Sequence, residues 1–277
     1  MKKVLYISFM LILCLAKQIT DCCKGDSILP SDYGACVICN GEVNGINIDE
    51  AYAMHSVMKF PQALFVADCL KRQATSLDDS IMVKKEELMQ DTWSPMLKMF
   101  DVEKHFSIAE LLQLSLQQSD NNACDILFEQ FGGPEQVEKY MRKLGFTDIR
   151  MCWTEREMGA NHSHTNLCTP REICRLFEWF LAHKTHNEYL SFIWQTMVSC
   201  QTGTTRLPAA IPEGAMCAHK TGTGFTNPDG TMCRNDAGII NLPDGRTIIL
   251  AIFIPLSKEE SDIAVIAKPF IDKVLEH

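Results

Sequence analysis

Several things are missing from this sequence, and each closes off a class of function. No run of basic residues interrupts a chain in which 26 lysines and arginines are outnumbered by 35 acidic residues. The net charge of -9 and the isoelectric point near 5.4 argue against nucleic acid or an anionic membrane surface as a partner. No apolar run is long enough to span a bilayer stably. The apolar stretch Val4 to Ala16, broken only by Ser8, falls short of the ~20 residues a spanning helix needs. No second cysteine pair accompanies Cys36-x-x-Cys39, so the 13 cysteines form no zinc pattern. His162 and His164 lack a third ligand. No metal or organic cofactor is therefore expected. No internal repeat is visible.

What is present begins with a leader. Lys2-Lys3 stand before the short apolar run, the order of a secretory signal peptide. Cleavage after Cys14-Leu15-Ala16 is one expectation, and a lipid-anchored start at Cys22 or Cys23 is the alternative. The protein is expected to be exported, periplasmic or secreted, with residues 1–22 as signal and 23–277 as one folded domain acting as a monomer. At 46% hydrophobic residues this length buries a sizeable core. The cysteines read mostly as small buried apolar residues, some of them available for pairing.

Strand signals sit at both ends of the chain. Tyr33 to Cys39 is a β-type run ending at Asn40-Gly41, a hairpin signal, and Ile46 to Ala53 reads as the returning strand. A strand begins at His219, Asp236 to Leu242 alternates, and Thr247 to Pro255 is strongly apolar. Helical spacing fills the middle: from Met58 to Leu70, through Leu111 to Leu116, from Ala123 to Phe131, from Pro134 to Gly145, and from Tyr189 to Val198. Ser107-x-x-Glu110 and Thr169-x-x-Glu172 read as capping boxes. Residues 151–168 show no period, and Glu157 there reads as a solvated charge. A helix closes the chain from Ser257 to Glu276. The expected fold is α+β. One antiparallel sheet is assembled from the two termini and flanked by helices, with an inserted all-helical lobe (α/β lobe about 30–56 and 200–277, helical lobe about 57–199).

Four short motifs carry chemistry. In Ser56-x-x-Lys59 a hydroxyl and an amine lie one helical turn apart on the same face. A helix N-terminus there favours developing negative charge, and the amine can take or relay the serine's proton. Ser119-Asp120-Asn121 follows a helix end, where a hydroxyl and an amide can move a proton and hold a carbonyl. Lys220-Thr221-Gly222 on a strand offers a cation and a hydroxyl to a carboxylate, and the glycine admits substrate backbone. Glu155 can activate water.

With these residues, in this order and spacing, the sequence resembles the class A serine β-lactamases, among the penicillin-recognising enzymes that share the β-lactamase/D,D-peptidase-like fold. The resemblance runs from about Tyr33 to His277. The text around Ser56 (Ser-Val-Met-Lys-Phe-Pro-Gln-Ala-Leu) and Thr154-Glu155-Arg156-Glu157-Met158 is similar to the cephalosporinase branch. The resemblance implies that Ser56 attacks the β-lactam carbonyl, with Lys59 or Glu155 as its base. Ser119 protonates the leaving nitrogen, and Glu155 activates the water that releases the acyl group. Asn121 binds the substrate amide, and Lys220 and Thr221 bind its carboxylate. The N–H groups of Ser56 and Thr223 form the oxyanion hole, Trp93 walls the site, and Arg206 supports carboxylate binding. β-Lactam antibiotics are the implied partners, and antibiotic resistance the implied outcome.

Two departures bear on the loop around Glu155. Met158-Gly159 stands where the family has Leu-Asn, and Asp125 stands in place of a usual asparagine, as in the cephalosporinase branch. Two other functions compete with hydrolysis: a peptidoglycan D,D-peptidase, which shares three of the motifs but does not need Glu155, and a penicillin-acylated sensor that turns over slowly.

Overall fold

Residues that favour strands at the two ends of the chain meet in one sheet. The computed structural model describes residues 32–276; the signal segment and the anchor cysteines Cys22 and Cys23 lie outside them. β1 (Gly34–Cys39) and β2 (Glu42–Ile46) form a hairpin around Asn40 and Gly41, at φ 51° and 78°. Positive φ at both central residues is what a tight two-residue turn requires. β7 (Met216–Thr223), β8 (Met232–Asn241) and β9 (Thr247–Ser257) complete an antiparallel sheet in the order β2-β1-β9-β8-β7. Residues Ile248 to Ile254 of β9 are all buried. An unbroken apolar run is what a strand covered on both faces demands. The helices α6 (Pro170–His183) and α8 (Asp262–Leu275) both pack on β9.

The returning strand differs from the expected Ile46–Ala53. Asn47, at φ 48°, turns the chain out of β2, and only Tyr52–Ala53 (β3) is extended again. β3 pairs with β6 (Leu167–Cys168) instead of β1. A second hairpin, β4 (Ser80–Lys84) with β5 (Glu103–Ser107), has no counterpart in the sequence reading, because its strands are separated by a long irregular connection.

The helical part is built around α1 (Lys59–Gln73), which touches α2 (Ile108–Gln117), α3 (Asn121–Phe131), α4 (Pro134–Lys143) and α7 (Glu188–Val198). Phe60 of α1 stacks on Phe177 of α6 with centroids 4.0 Å apart and meets Phe180 edge-on at 5.3 Å. Burying a side chain of this size stabilises by about 1.5–3 kcal/mol. The contact fixes the start of α1 against the rest of the core. No helix among the described residues is long and apolar enough to cross a membrane.

The capping signals divide. The Ser107–Glu110 box closes in both directions. At α6 only half a box forms: Thr169 accepts from the Glu172 N–H, but the Glu172 carboxylate turns to the N–H groups of Thr147 and Asp148 and to Arg175. A full box appears where irregular chain was expected. Thr154 and Glu157 cap each other reciprocally and open the short helix α5 (Glu155–Ala160). Glu157 is thus a capping residue, not merely a solvated charge. The ten described cysteines are all free thiols, so the expected pairing finds no disulfide among them.

Candidate active site

Ser56 lies in a 3-10 turn, His55–Met58, that leads into α1 at Lys59. The expected α-helix thus starts three residues later than the serine. His55, just before it, sits at φ 45°, in the left-handed region. Lys59 follows one turn on, fully buried, and its Nζ meets four oxygens from three other segments. It donates to Ser56 Oγ at 3.2 Å, to the Ser119 carbonyl at 2.8 Å and to Asn121 Oδ1 at 2.6 Å. It pairs with Glu155 Oε1 at 3.0 Å. Ser56 Oγ in turn donates toward the same Glu155 oxygen at 3.4 Å. A buried ammonium needs such company, because desolvation alone would neutralise it.

Ser119 sits at φ 58°, in the left-handed region that a serine rarely occupies. Two cations hold it there from opposite ends. Lys59 takes its carbonyl, and Lys220 Nζ donates to its hydroxyl at 2.9 Å. Burial, followed by the charge of Lys59, pushes the Lys220 ammonium down to about 7. Asp120 supports the same turn. Fully buried, it caps α3 at the Ala123 N–H and binds Ser94 Oγ and the Met96 N–H. That ties Ser119 and Asn121 to the Trp93 loop. Asn121 also donates to Thr92 Oγ1, and its N–H to the Trp93 carbonyl.

The loop carrying Glu155 is anchored by two side chains. Asp125 accepts the N–H groups of Glu155 at 2.8 Å and Arg156 at 2.9 Å. With Thr154 taking the Glu157 N–H, the first three N–H groups of α5 are satisfied. The departure at Asp125 is therefore structural glue for the glutamate. Burial pushes its carboxyl up to about 7, against those two N–H bonds and with help from the nearby Glu155 charge. Asn166, fully buried, accepts the N–H groups of Cys152 and Trp153, donates to the Trp153 carbonyl, and receives the Met54 N–H on its own carbonyl. It joins this loop to the segment just ahead of Ser56. At Gly159 an added Cβ would meet nothing within 4 Å. The position where the family has an amide is open space facing the cleft.

The floor comes from β7. A Cβ at Gly222 would lie 2.5 Å from the Met54 carbonyl, so only glycine lets the strand pass this close to the serine turn. Thr221 Oγ1 hydrogen-bonds Thr202 Oγ1 at 2.7 Å. Arg206 spends all five N–H donors: on Glu260 twice, on the carbonyls of Gly222 and Asn235, and on Thr223 Oγ1. Glu260 also pairs with Arg234, and the Arg206 guanidinium beside it holds its carboxyl below the usual range.

These groups surround a cleft of about 850 Å³, a size that suits a small-molecule ligand. Ser56, Trp93, Ser119, Asn121, Glu155, Arg206, Thr221 and Thr223 line it; Lys59, Lys220 and Gly222 lie buried behind the wall. All eleven residues singled out in the sequence thus belong to one locality. Sequence reading assigned no role to Thr92, Asp120, Asn166, Thr202 and Glu260. An aspartate three residues before Ala123 was a legible helix cap. The others carry no local signal.

A fold and a site of this kind define a serine acyl-transferase of the penicillin-recognising type. Comparison with known proteins narrows it. Residues 15–269 match the model of the "Beta-lactamase enzyme family". The β-lactamase VEB-1 of Pseudomonas aeruginosa is 35% identical over 225 residues, 79% of this chain and 75% of that protein. The extended-spectrum β-lactamase PER-1 of the same organism is also 35% identical, over 78% of this chain and 71% of its own. A solved class A β-lactamase from Bacteroides cellulosilyticus superposes with a TM-score of 0.87 at 31% identity, covering 95% of this chain and 98% of that one. This chain belongs to the β-lactamase enzyme family, in its class A.

Proposed function

We propose that this β-lactamase opens the β-lactam ring of penicillins and cephalosporins through an acyl-enzyme on Ser56, and so gives resistance to those antibiotics. One observation carries the reading: a single carboxylate oxygen of Glu155 lies within reach of both Ser56 Oγ and Lys59 Nζ. Lys59 is held as a donor by four oxygens. Glu155 is then the group able to accept the serine's proton, directly at 3.4 Å or through a water. Ser56 attacks the lactam carbonyl, whose oxygen is received by the N–H groups of Ser56 and Thr223. Ser119, fed by Lys220, passes a proton to the ring nitrogen as it leaves. Glu155 then activates the water that frees the acyl group.

The substrate carboxylate is taken by Lys220 and the Thr221 hydroxyl. Arg206 acts one step back, orienting the Thr223 hydroxyl and the floor carbonyls rather than touching substrate. Asn121 receives the side-chain amide, and Trp93 walls that end. Cephalosporins are the favoured class, in line with the motif text and with an extended-spectrum relative. The enzyme works as an exported monomer, with residues 1–22 as leader and 23–277 as the catalytic domain.

The competing functions differ at Glu155, a group that D,D-peptidase chemistry does not need. The test is a time course with a chromogenic cephalosporin, with intact mass read in parallel. Steady turnover in wild type, and acyl-enzyme accumulating in Glu155→Gln, is the expected result. A single stoichiometric burst in wild type with a persistent acyl mass would overturn hydrolysis in favour of a sensor.

A further inference from the structure

On the sheet face that meets the segment 200–210 lies a buried ion pair that the proposed chemistry does not use. β7 and β8 set Thr221 opposite Asp236 and Thr223 opposite Arg234. Side chains directly opposite each other, and those two residues apart on one strand, share a face. His219, Thr221 and Thr223 of β7 therefore lie on the same side as Arg234 and Asp236 of β8. His219 Nδ1 stands 2.8 Å from Asp236 Oδ1 and 3.1 Å from Oδ2, with both residues buried. Asp236 Oδ2 also accepts the N–H of Leu207 at 3.1 Å. Leu207 opens the short helical turn Leu207–Ala210 and directly follows Arg206. As the first residue of that turn it has no acceptor within it.

The strap from Thr202 to Leu207 is thus fixed to the sheet at both ends. At one end Thr202 hydrogen-bonds Thr221. Gly203, at φ 66°, lies so close to the same threonine that a Cβ would meet its methyl group at 2.5 Å. At the other end Asp236 holds the Leu207 N–H. Between them, Thr202, Gly203 and Arg206 line the cleft.

We propose that Asp236 and His219 are positioning residues for carboxylate binding: their ion pair anchors the strap, and with it Thr202 and Arg206, against the substrate floor. Asp236 supplies the acceptor. His219 supplies the counter-charge without which a buried carboxylate is costly. Burial opposes protonation of His219, yet the Asp236 charge carries it up to about 10, so the imidazole is cationic at neutral pH. Freed of the Leu207 bond, the Arg206 backbone can lift, and the guanidinium loses its alignment on Thr223 Oγ1 and on the carbonyls of Gly222 and Asn235.

The test is the ratio of kcat/KM for a chromogenic cephalosporin to that for its methyl ester, which lacks the carboxylate. In Asp236→Leu combined with His219→Phe the pair becomes apolar at similar size. Such a replacement of a buried ion pair is often neutral for stability, but it leaves the Leu207 N–H without its acceptor. The acid-over-ester ratio is expected to fall about tenfold, as for loss of a hydrogen bond to a charged group. Asp236→Asn keeps an oxygen for Leu207 and an amide for the imidazole, and should hold the ratio near its wild-type value. Acid and ester falling together in the double variant would mark a merely structural pair and overturn the proposal. So would a double variant with the wild-type ratio, or an Asp236→Asn ratio lost as fully as in the double variant. The expected ratio rests on the carboxylate role given above to Lys220, Thr221 and Arg206. That role fails, and the proposal with it, if wild type turns over acid and ester alike; failure in the variants alone leaves the role standing.

Discussion

Replacing Asp125 by alanine tests how Glu155 is held over Ser56. A six-residue helix such as α5 does not stand on its own propensity. Its first two N–H groups are bound by Asp125 alone, from another helix, at 2.8 and 2.9 Å. At about 1 kcal/mol net per bond, Asp125→Ala loses about 2 kcal/mol. For a chain of this size that is a fall of about 4–8 °C in Tm. The kinetic effect should exceed the thermal one. Glu155 Oε1 already lies 3.4 Å from Ser56 Oγ, and a shift of about 1 Å in a catalytic group can cost about a hundredfold in rate. In the proposed mechanism Glu155 places the deacylating water, so deacylation should suffer most and an acyl-enzyme mass should appear during turnover. The pH sign follows from the carboxyl being raised from 3.8 to about 7 on folding. The folded state binds the proton more tightly, so this group's contribution falls as pH rises across that window. The stability gap between wild type and Asp125→Ala should therefore be larger at pH ~5.5 than at pH ~8. Scanning calorimetry at both values and burst kinetics with intact mass measure all three effects. Wild-type deacylation with an unchanged Tm in Asp125→Ala would refute the reasoning.

Two further outcomes follow from the floor of the cleft. Lys220, pushed down to about 7 by burial and Lys59, is charged below that value and neutral above it. The kcat/KM for carboxylate-bearing substrates should therefore decline as pH rises through about 7, and Lys220→Arg, charged throughout, should flatten that limb. Gly222→Ala drives a Cβ to 2.5 Å from the Met54 carbonyl. A rigid backbone clash of that kind should cost about 1–3 kcal/mol and displace Ser56; a soluble Gly222→Ala protein with wild-type turnover and Tm would show that the strand gives way freely.

Much of the site was legible because its motifs are local. Ser56-x-x-Lys59 places its hydroxyl and amine one turn apart, and the structure measures 3.2 Å between them. The Asn40-Gly41 turn and the Ser107–Glu110 cap are likewise short-range and both formed, although the strand returning from the turn is Glu42–Ile46 and not the expected Ile46–Ala53. The Thr154–Glu157 box obeyed the same rule but was hidden in a stretch with no apolar period. The β4–β5 hairpin escaped because its partners are far apart in the chain.

The sequence by itself determined the chemical types available, their order, and the strands that seek burial on both faces. Chain chemistry over one or two turns is decided by bond geometry, and that is written in neighbouring letters. Tertiary structure alone decided that Lys59 meets oxygens from residues 60 and 62 positions away, and a carboxylate nearly 100 positions on. It decided that Asp125 holds Glu155 and that Glu260 holds Arg206. An aspartate or glutamate in a sequence declares a capacity to accept hydrogen bonds. Which N–H groups it accepts from depends on how helices and strands pack around a shared core, and no local pattern encodes that.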